Sequence, residues 1–515
     1  MTQAHPIDPL LEASQPRWAG FAVMCVGMFM AILDIQVVAT SLPTIQRALR
    51  IAPDQMSWIQ TAYLTAEVIA IPLTGVLTRL LTMRGLYVGS IVLFTIASVG
   101  CAESDGFAAL IAWRVLQGFA GGTLIPAVFS AVVLLFPARG QAVATTMAGL
   151  LAVLAPTVGP VVGGWITTTY SWRWLFLINV TPGAICAVAA TLLLPRDHPW
   201  LKAVRGLHPV SLGLMAIALA ALEIGLKDAP LRGWGSPVVL GLLGLSGAAM
   251  ASFIVHTLRA DHPVVELRTL REPTFGISCA LSFIFGIGLF GSVYLMPVFL
   301  AGVREHNALE IGRIMLVTGV AQLAAAPVAV ALERRVDARL LAAAGFAAFG
   351  LGLGLSAFQS KDTDFAAMLW PQALRGAAIM FCLLPPTRLA LGALAPEVVP
   401  GASGLFNLMR NLGCAIGLAL IDTVIYGRAP VHARAITAAL LRGDTATAKA
   451  VGIPLDLFAA RAPGPISPDL RDMLTPMVDR LALVQAINDA WSLIAALTLA
   501  AILATPWLRR PRAPN

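Results

Sequence analysis

The chain has 515 residues, of which 58% are hydrophobic and 12% charged, with a mean hydropathy of +0.81 and a net charge of +8. Charged residues make up about a quarter of a typical soluble protein, and a soluble chain this long would divide into domains with polar surfaces and linkers. The composition therefore excludes a soluble globular class and makes lipid the solvent. The basic residues sit in short loops rather than in one patch, which argues against nucleic acid as a partner.

Apolar runs of about 20 residues are the unit of the chain. They fall near 18–42, 55–77, 86–102, 107–136, 141–168, 174–194, 209–226, 237–258, 274–301, 308–332, 340–358, 365–394, 402–426 and 486–508, about fourteen in all. The first seventeen residues are polar, with Arg17 just before a full-length apolar run and no A-x-A site in a suitable place. The first helix is thus expected to be retained rather than cleaved as a signal peptide. The six cysteines (Cys25, Cys101, Cys186, Cys279, Cys382, Cys414) stand singly, mostly in apolar runs, with no spacing for a disulfide framework or a zinc site.

The first run holds Asp34, the second Glu67 and the fourth Arg114. A charge at membrane depth costs at least about 2.5 kcal/mol on insertion scales and is a functional candidate by default. Burial disfavours the charged form of Asp34, which suits a group that takes a proton on one side and releases it on the other. A bond to Thr40, Ser41 or backbone would instead make it a structural anchor. Glu67 could be a second proton site, a contact for a cationic substrate, or a neutral carboxyl bonded to a neighbour. Arg114 cannot discharge, so it must face a partner, water or the bundle interior, and could gate proton release from a nearby carboxylate.

Inside the fifth run, residues 154–164 read LAPTVGPVVGG, two prolines and three glycines in an apolar context. A membrane helix tolerates these because its neighbours re-satisfy the freed backbone groups, and small residues let two backbones approach. A kinked, close-packed helix is expected there. Further along, Glu223 and Asp422 lie near the ends of their runs and read as interfacial. Arg375 and Arg410 are deeper. Trp58, Tyr63, Phe283, Phe285, Phe290 and Tyr294 could line an aromatic cavity, with Asn407 and Arg410 beside it. All seven histidines are expected in loops or tails. Segment 427–485 reads as a solvated loop with amphipathic pieces. His256 and Asp261 form an H-x4-D spacing without a glycine-rich oxyanion site nearby, and no G-x-x-x-x-G-K-[ST] loop is present, so neither an acyltransferase nor an ATP-driven pump is expected.

Lys and Arg set the orientation. With a cytoplasmic N-terminus, the inner loops carry Arg79/Arg84, Arg139, Arg196/Lys202/Arg205, Arg259/Arg268/Arg271 and Arg334/Arg335/Arg339, with Arg509, Arg510 and Arg512 in the tail. An even number of crossings then leaves both termini cytoplasmic. A short internal repeat pairs residues 115–120 (VLQGFA) with 373–378 (ALRGAA), each eight to ten residues before a proline, Pro126 or Pro385. The offset spans eight runs, as if two helices were inserted between two six-helix halves.

These motifs in sequence order resemble the major facilitator superfamily, specifically its fourteen-helix drug:proton antiporters of the EmrB/QacA type. The resemblance covers about residues 18–427. LDIQVVATSLPTIQ is similar to the first-helix motif with its embedded acid, here Asp34. RVLQGFAGGTLIP is similar to the fourth-helix motif at Arg114, Gln117 and Gly118, and the glycine-proline stretch to the antiporter motif at Gly159, Pro160, Gly163 and Gly164. WRWLFLINVTPG matches at Trp172, Arg173, Asn179 and Pro182, and ASGLFNLMRNLGCAIG at Ser403, Asn407, Arg410 and Gly413. Two departures stand out: Arg79 replaces the usual acid of the loop after the second helix, and Ile35-Gln36 replaces a Thr-Thr-like pair.

The resemblance implies an all-α integral membrane protein with about fourteen crossings. Its parts would be a cytoplasmic tail (1–17), an N-terminal six-helix bundle (18–195), two inserted helices with loops (196–272), a C-terminal bundle (273–508) with an extracytoplasmic loop (427–485), and a second tail (509–515). It implies a secondary transporter, not an enzyme. The expected activity is multidrug efflux of small lipophilic or cationic compounds in exchange for protons across the inner membrane, or export of one dedicated metabolite or siderophore. No cofactor is expected beyond the proton gradient. The partners would be substrate, protons and the bilayer, together with a periplasmic adaptor and an outer-membrane channel. Asp34, Arg114 and Glu67 would couple to protons, and the antiporter-motif residues with Gln117 and Gly118 would govern the conformational change.

Overall fold

The computed structural model describes residues 15–51, 58–195, 209–260, 265, 267–333, 335–392, 394–395, 398–454, 458 and 468–508. Residues 1–14 and 509–515 of the expected tails, with Asp261, Arg196, Lys202, Arg205 and Arg334, lie outside the described residues, while residues 15–17 already belong to the first helix. The helices are α1 (Gln15–Leu49), α2 (Trp58–Ala102), α3 (Phe107–Leu135), α4 (Ala138–Thr169), α5 (Trp174–Leu177), α6 (Val180–Leu193), α7 (Pro209–Arg232) and α8 (Pro237–Arg259). They continue with α9 (Pro273–Gly302), α10 (Ala308–Glu333), α11 (Ala338–Leu355), α12 (Phe365–Leu391), α13 (Val399–Leu441), α14 (Thr445–Val451) and α15 (Pro468–Ala500). There is no strand among the described residues, as expected where only helices or closed barrels satisfy the backbone in lipid.

Among the described residues, twelve helices are long and apolar enough to cross a membrane, and α4, whose two limbs meet at 43°, makes a thirteenth. The 45-residue α2 holds two crossings, because Thr82 has φ 67 and ψ 163 and breaks it. Contacts along α3 show how the limbs run. Gly118 abuts Tyr63 and Gly122 abuts Glu67, whereas Gln117 bonds Ser98 and Thr123 bonds Ser90. Numbers rise along the first limb and fall along the second, so α2 is a helical hairpin. With that division the described residues are consistent with the roughly fourteen crossings expected from the apolar runs. In α4, Pro160 cannot donate to the carbonyl four residues back, that of Pro156, and the bend falls there.

Two large apolar clusters organise the spans. One is built chiefly from residues 21–194, the other from residues 281–508. The two groups of helices meet through α4 with α10 and α12, and through α2 and α3 with α13. At one end of the α2–α13 contact the backbones touch: a Cβ on Gly75 would lie 2.6 Å from Gly401 Cα, and Ser403 Oγ donates to the Pro126 carbonyl at 3.0 Å. Toward the other end α7 packs on both α2 and α13. Lys227 Nζ stands 4.5 Å over the Trp58 ring, and Trp234 Nε1 in the α7–α8 turn donates to Thr423 Oγ1 at 2.9 Å. Helix α8 turns Leu240, Leu245 and Val255 outward.

Three expectations are corrected. Segment 427–485 is largely helical rather than a loop: α13 continues to Leu441, α14 follows, and α15 begins at Pro468. Ile436 and Leu440, one turn apart on α13, pack with Val478 and Ala482 on α15 and with Ala448 and Val451 on α14, forming a small core of their own. For the same reason Asp422 lies mid-helix, where its Oδ1 accepts from Tyr294 Oη at 2.7 Å. The histidines are not confined to loops: His256 lies in α8, where its ring bonds Ser211 Oγ at 2.8 Å, and His432 lies in α13 beside Asp489.

Candidate functional site

Asp34 sits mid-way along α1 and is 1% exposed; Arg114 on α3 is fully buried. Their charged groups are directly paired. Asp34 Oδ1 also accepts from Asn179 Nδ2 at 2.8 Å and from Gln117 Nε2 at 3.0 Å. Gln117 lies one turn after Arg114, so both reach the same carboxylate from one face of α3. Gln117 further donates to Ser98 Oγ at 2.9 Å and accepts from Arg114 Nη1 at 2.7 Å. Arg114 Nε donates to the Ile59 carbonyl at 3.1 Å, and its guanidinium lies 4.4 Å from the Tyr63 ring centroid. Arg114 Nη2 has no partner among the described residues.

Neither Asp34 nor Arg114 faces lipid. The carboxylate is held by three donors from α3 and the start of α6, not by Ser41, whose hydroxyl has no described partner; the side chain of Thr40 lies outside the description. Burying an ion pair forfeits several kcal/mol of hydration per ion, and only good geometry with extra hydrogen bonds offsets that. Here the extra bonds are present. No solvent reaches either side chain in this conformation, so use of Asp34 as a proton carrier requires the pair to separate.

Glu67, 4% exposed, lies one turn past Tyr63 on the first limb of α2. It is within electrostatic reach of Glu223 on α7, Arg410 on α13 and Arg114. Arg410 donates to Asn407 Oδ1 at 2.6 Å, Asn407 in turn donates to the Ser403 carbonyl at 2.9 Å, and the guanidinium stands 5.6 Å from the Phe129 ring. The second group of helices and the first inserted helix therefore each bring a charged side chain within electrostatic reach of Glu67 in the first group. Glu223, expected at the interface, lies nine residues before the end of α7 and belongs to this cluster.

The aromatic candidates divide between the two groups of helices, with Phe283, Phe285, Phe290 and Tyr294 in or against the second apolar cluster. Tyr63 is fully buried, donates to the Ala31 carbonyl at 3.1 Å and belongs to the Asp34 site. Trp58 packs on Lys227, Tyr294 bonds Asp422, and Phe290 lies against the second core. In α4, a Cβ on Gly159 would stand 2.4 Å from Gln36 Cβ on α1, and the neighbouring Val161 backs onto Gly312 of α10. Pro160, Gly163 and Gly164 are buried in the same stretch. The helix thus presses on one partner in each group.

The short repeat has a structural counterpart. A Cβ on Gly118 would stand 2.2 Å from the Tyr63 carbonyl oxygen of α2; one on Gly376 would stand 2.3 Å from the Thr318 carbonyl oxygen of α10. Equivalent glycines thus seat equivalent helix pairs. Sequence reading quoted Asn179 without giving it a role, since nothing in WRWLFLINVTPG ties it to an acid 145 residues earlier.

The family model for the Major Facilitator Superfamily matches residues 24–418. The chain is 36% identical over 423 residues to the colistin resistance protein EmrB of Acinetobacter baumannii, covering 81% of this chain and 82% of that relative. It is 29% identical over 416 residues to the multidrug export protein EmrB of Escherichia coli, covering 80% and 81%. Among solved structures it is similar to the human organic anion transporter MFSD10 (TETRAN), with a TM-score of 0.61 and 15% identity over 96% of this chain and all of that one, a likeness of fold alone.

Proposed function

The chain belongs to the Major Facilitator Superfamily, alongside the EmrB-type exporters, and from that premise we propose that it is a proton-coupled multidrug efflux antiporter working by alternating access. The observation that carries the reading is the Asp34 carboxylate, buried in a membrane bundle and held by Arg114, Gln117 and Asn179. Adding a proton to Asp34 removes the charge that stabilises the guanidinium. Arg114 cannot give up its own proton, and a buried cation stripped of its partner costs about 3–5 kcal/mol. A population ratio moves from 1:99 to 99:1 for about 5.5 kcal/mol, so protonation supplies most of a switch. Arg114 then turns to water or toward Glu67, and α3 is free to shift against α1. Loss of the proton on the other side restores the pair.

The substrate class is small lipophilic or cationic compounds, received near Glu67, Glu223 and Arg410. The loop charges support a cytoplasmic N-terminus, which with fourteen crossings returns the C-terminus to the same side of the inner membrane. A periplasmic adaptor and an outer-membrane channel complete the export path in this reading. The test is dye efflux in everted vesicles. Asp34→Asn abolishes proton-driven efflux while the protein inserts at normal levels; proton-coupled efflux at the wild-type rate would refute the assignment.

A further inference from the structure

The same helix surface carries different chemistry in the two groups of helices. Around Gly118, α3 reads Arg114-Val115-Leu116-Gln117-Gly118; around the equivalent Gly376, α12 reads Gln372-Ala373-Leu374-Arg375-Gly376. Guanidinium and carboxamide have exchanged places. On α3 the pair closes on a carboxylate, Asp34. On α12 no carboxylate among the described residues pairs with Arg375, although it is only 2% exposed. Its guanidinium stands 4.8 Å from the Trp491 ring centroid, and a Cβ on Gly352 would lie 2.6 Å from its Cγ, so α11, α12 and α15 all border it.

The orphan groups on Arg375 and on the side chains flanking it are N–H donors; the orphan acceptor of Gln359 lies beyond the end of α11, where its backbone bonds Asn488 of α15. Arg375 Nε, Arg375 Nη1, Gln372 Nε2 and Trp491 Nε1 are buried without a hydrogen-bond partner among the described residues. The acceptor end of Gln372 is taken by Thr318 Oγ1 at 3.3 Å, which leaves its donor end free. The orphan acceptor of Gln322 on α10 belongs to a side chain that faces Met380. Buried orphan donors are rare, and a buried guanidinium with no counter-charge is costly. Four N–H donors around a fixed positive charge are complemented by a group with negative charge and only acceptors.

We propose that Arg375, Gln372 and Trp491 form a binding site for a small monovalent anion, a halide or the carboxylate of a small organic acid, which does for Arg375 what Asp34 does for Arg114. The site is separate from the Asp34 centre and from the Glu67–Arg410 cluster.

The test uses the full-length protein purified in detergent, with its thermal midpoint followed as sodium gluconate is exchanged for sodium chloride, bromide or acetate at constant ionic strength. The midpoint of the wild type rises saturably with at least one small anion, and Arg375→Gln shows no rise. A response to the halides alone assigns a halide site, one to acetate alone a carboxylate site, and one to both a site that reads charge and size. Trp491→Phe keeps the ring and loses one donor, so its apparent affinity falls by about tenfold; this variant carries the test if Arg375→Gln does not fold. A wild-type midpoint indifferent to all three anions would overturn the proposal. So would an equal saturable rise in Arg375→Gln, or an unchanged affinity in Trp491→Phe.

Discussion

Each buried charge in this protein is defined by what it touches, and that governs how much of the site was legible beforehand. Asp34, Glu67 and Arg114 stand out in the sequence because lipid makes any charge costly. Their pairing does not: Gln117 and Asn179 belong to motifs far apart in the chain, and only folding brings both to Asp34, with Ser98 behind Gln117. Glu67 differs from Asp34 in having Glu223 as well as Arg410 and Arg114 in electrostatic reach, so two carboxyls stand against two guanidiniums there, and loss of one carboxyl leaves the place net positive and repels a cation. Glu67→Gln is therefore expected to lower efflux of monovalent cationic dyes by about tenfold, the effect of some 1.4 kcal/mol, while uncharged compounds are exported as before; parallel dye-accumulation assays read the difference.

At the membrane edge, Asp364 accepts from Phe365 N and pairs with Arg304 at 2.9 Å and His306 at 3.2 Å. Arg304 above all, with the Phe365 amide and His306, holds its carboxyl below the ordinary aspartate value of about 3.8. Because the folded state binds this proton less tightly than the unfolded one, the contribution is complete above about pH 3.8 and is lost as pH falls through the depressed folded value. Asp364→Ala should cost about 1 kcal/mol as a lost helix cap, and the gap between mutant and wild-type thermal midpoints should narrow only below that pH.

Among the elements, the apolar runs brought the expected number of crossings into agreement with the helices described, since run length follows directly from bilayer thickness. What the runs could not convey was how helices end. Thr82 turns α2 back on itself with no glycine or proline at the break, and α13 carries on about 22 Å beyond its apolar part because Ile436 and Leu440 find Val478 and Ala482. Pairing across 40 residues leaves no local signature. The short repeat was legible, and its meaning is steric. Gly118→Ala and Gly376→Ala each push a methyl into a carbonyl oxygen at 2.2 and 2.3 Å. Each should destabilise by about 1–3 kcal/mol through overpacking. Gly241→Ala, with nothing within 4 Å of the added carbon, should leave the thermal midpoint unchanged or slightly raised.

For the molecule as a whole, the two groups of helices close on each other through backbone at one end and through α7 toward the other. That asymmetry describes a conformation shut where Gly75 meets Gly401, with Lys227 and Trp234 tying the inserted helix to α2 and α13. A side chain at Gly75 wedges the shut end. Gly75→Leu should lengthen the distance between spin labels at Thr78 and Leu394 and slow transport; an unchanged distance distribution would show that this contact does not hold the end closed.

The central claim is that Asp34 carries the exchanged proton, and the most direct measurement is proton release by the purified protein when a transported dye binds, read with a pH indicator in weakly buffered detergent solution. The wild type should acidify the medium on dye addition, and Asp34→Asn should bind dye without releasing protons. Equal release from Asp34→Asn and wild type would contradict the account.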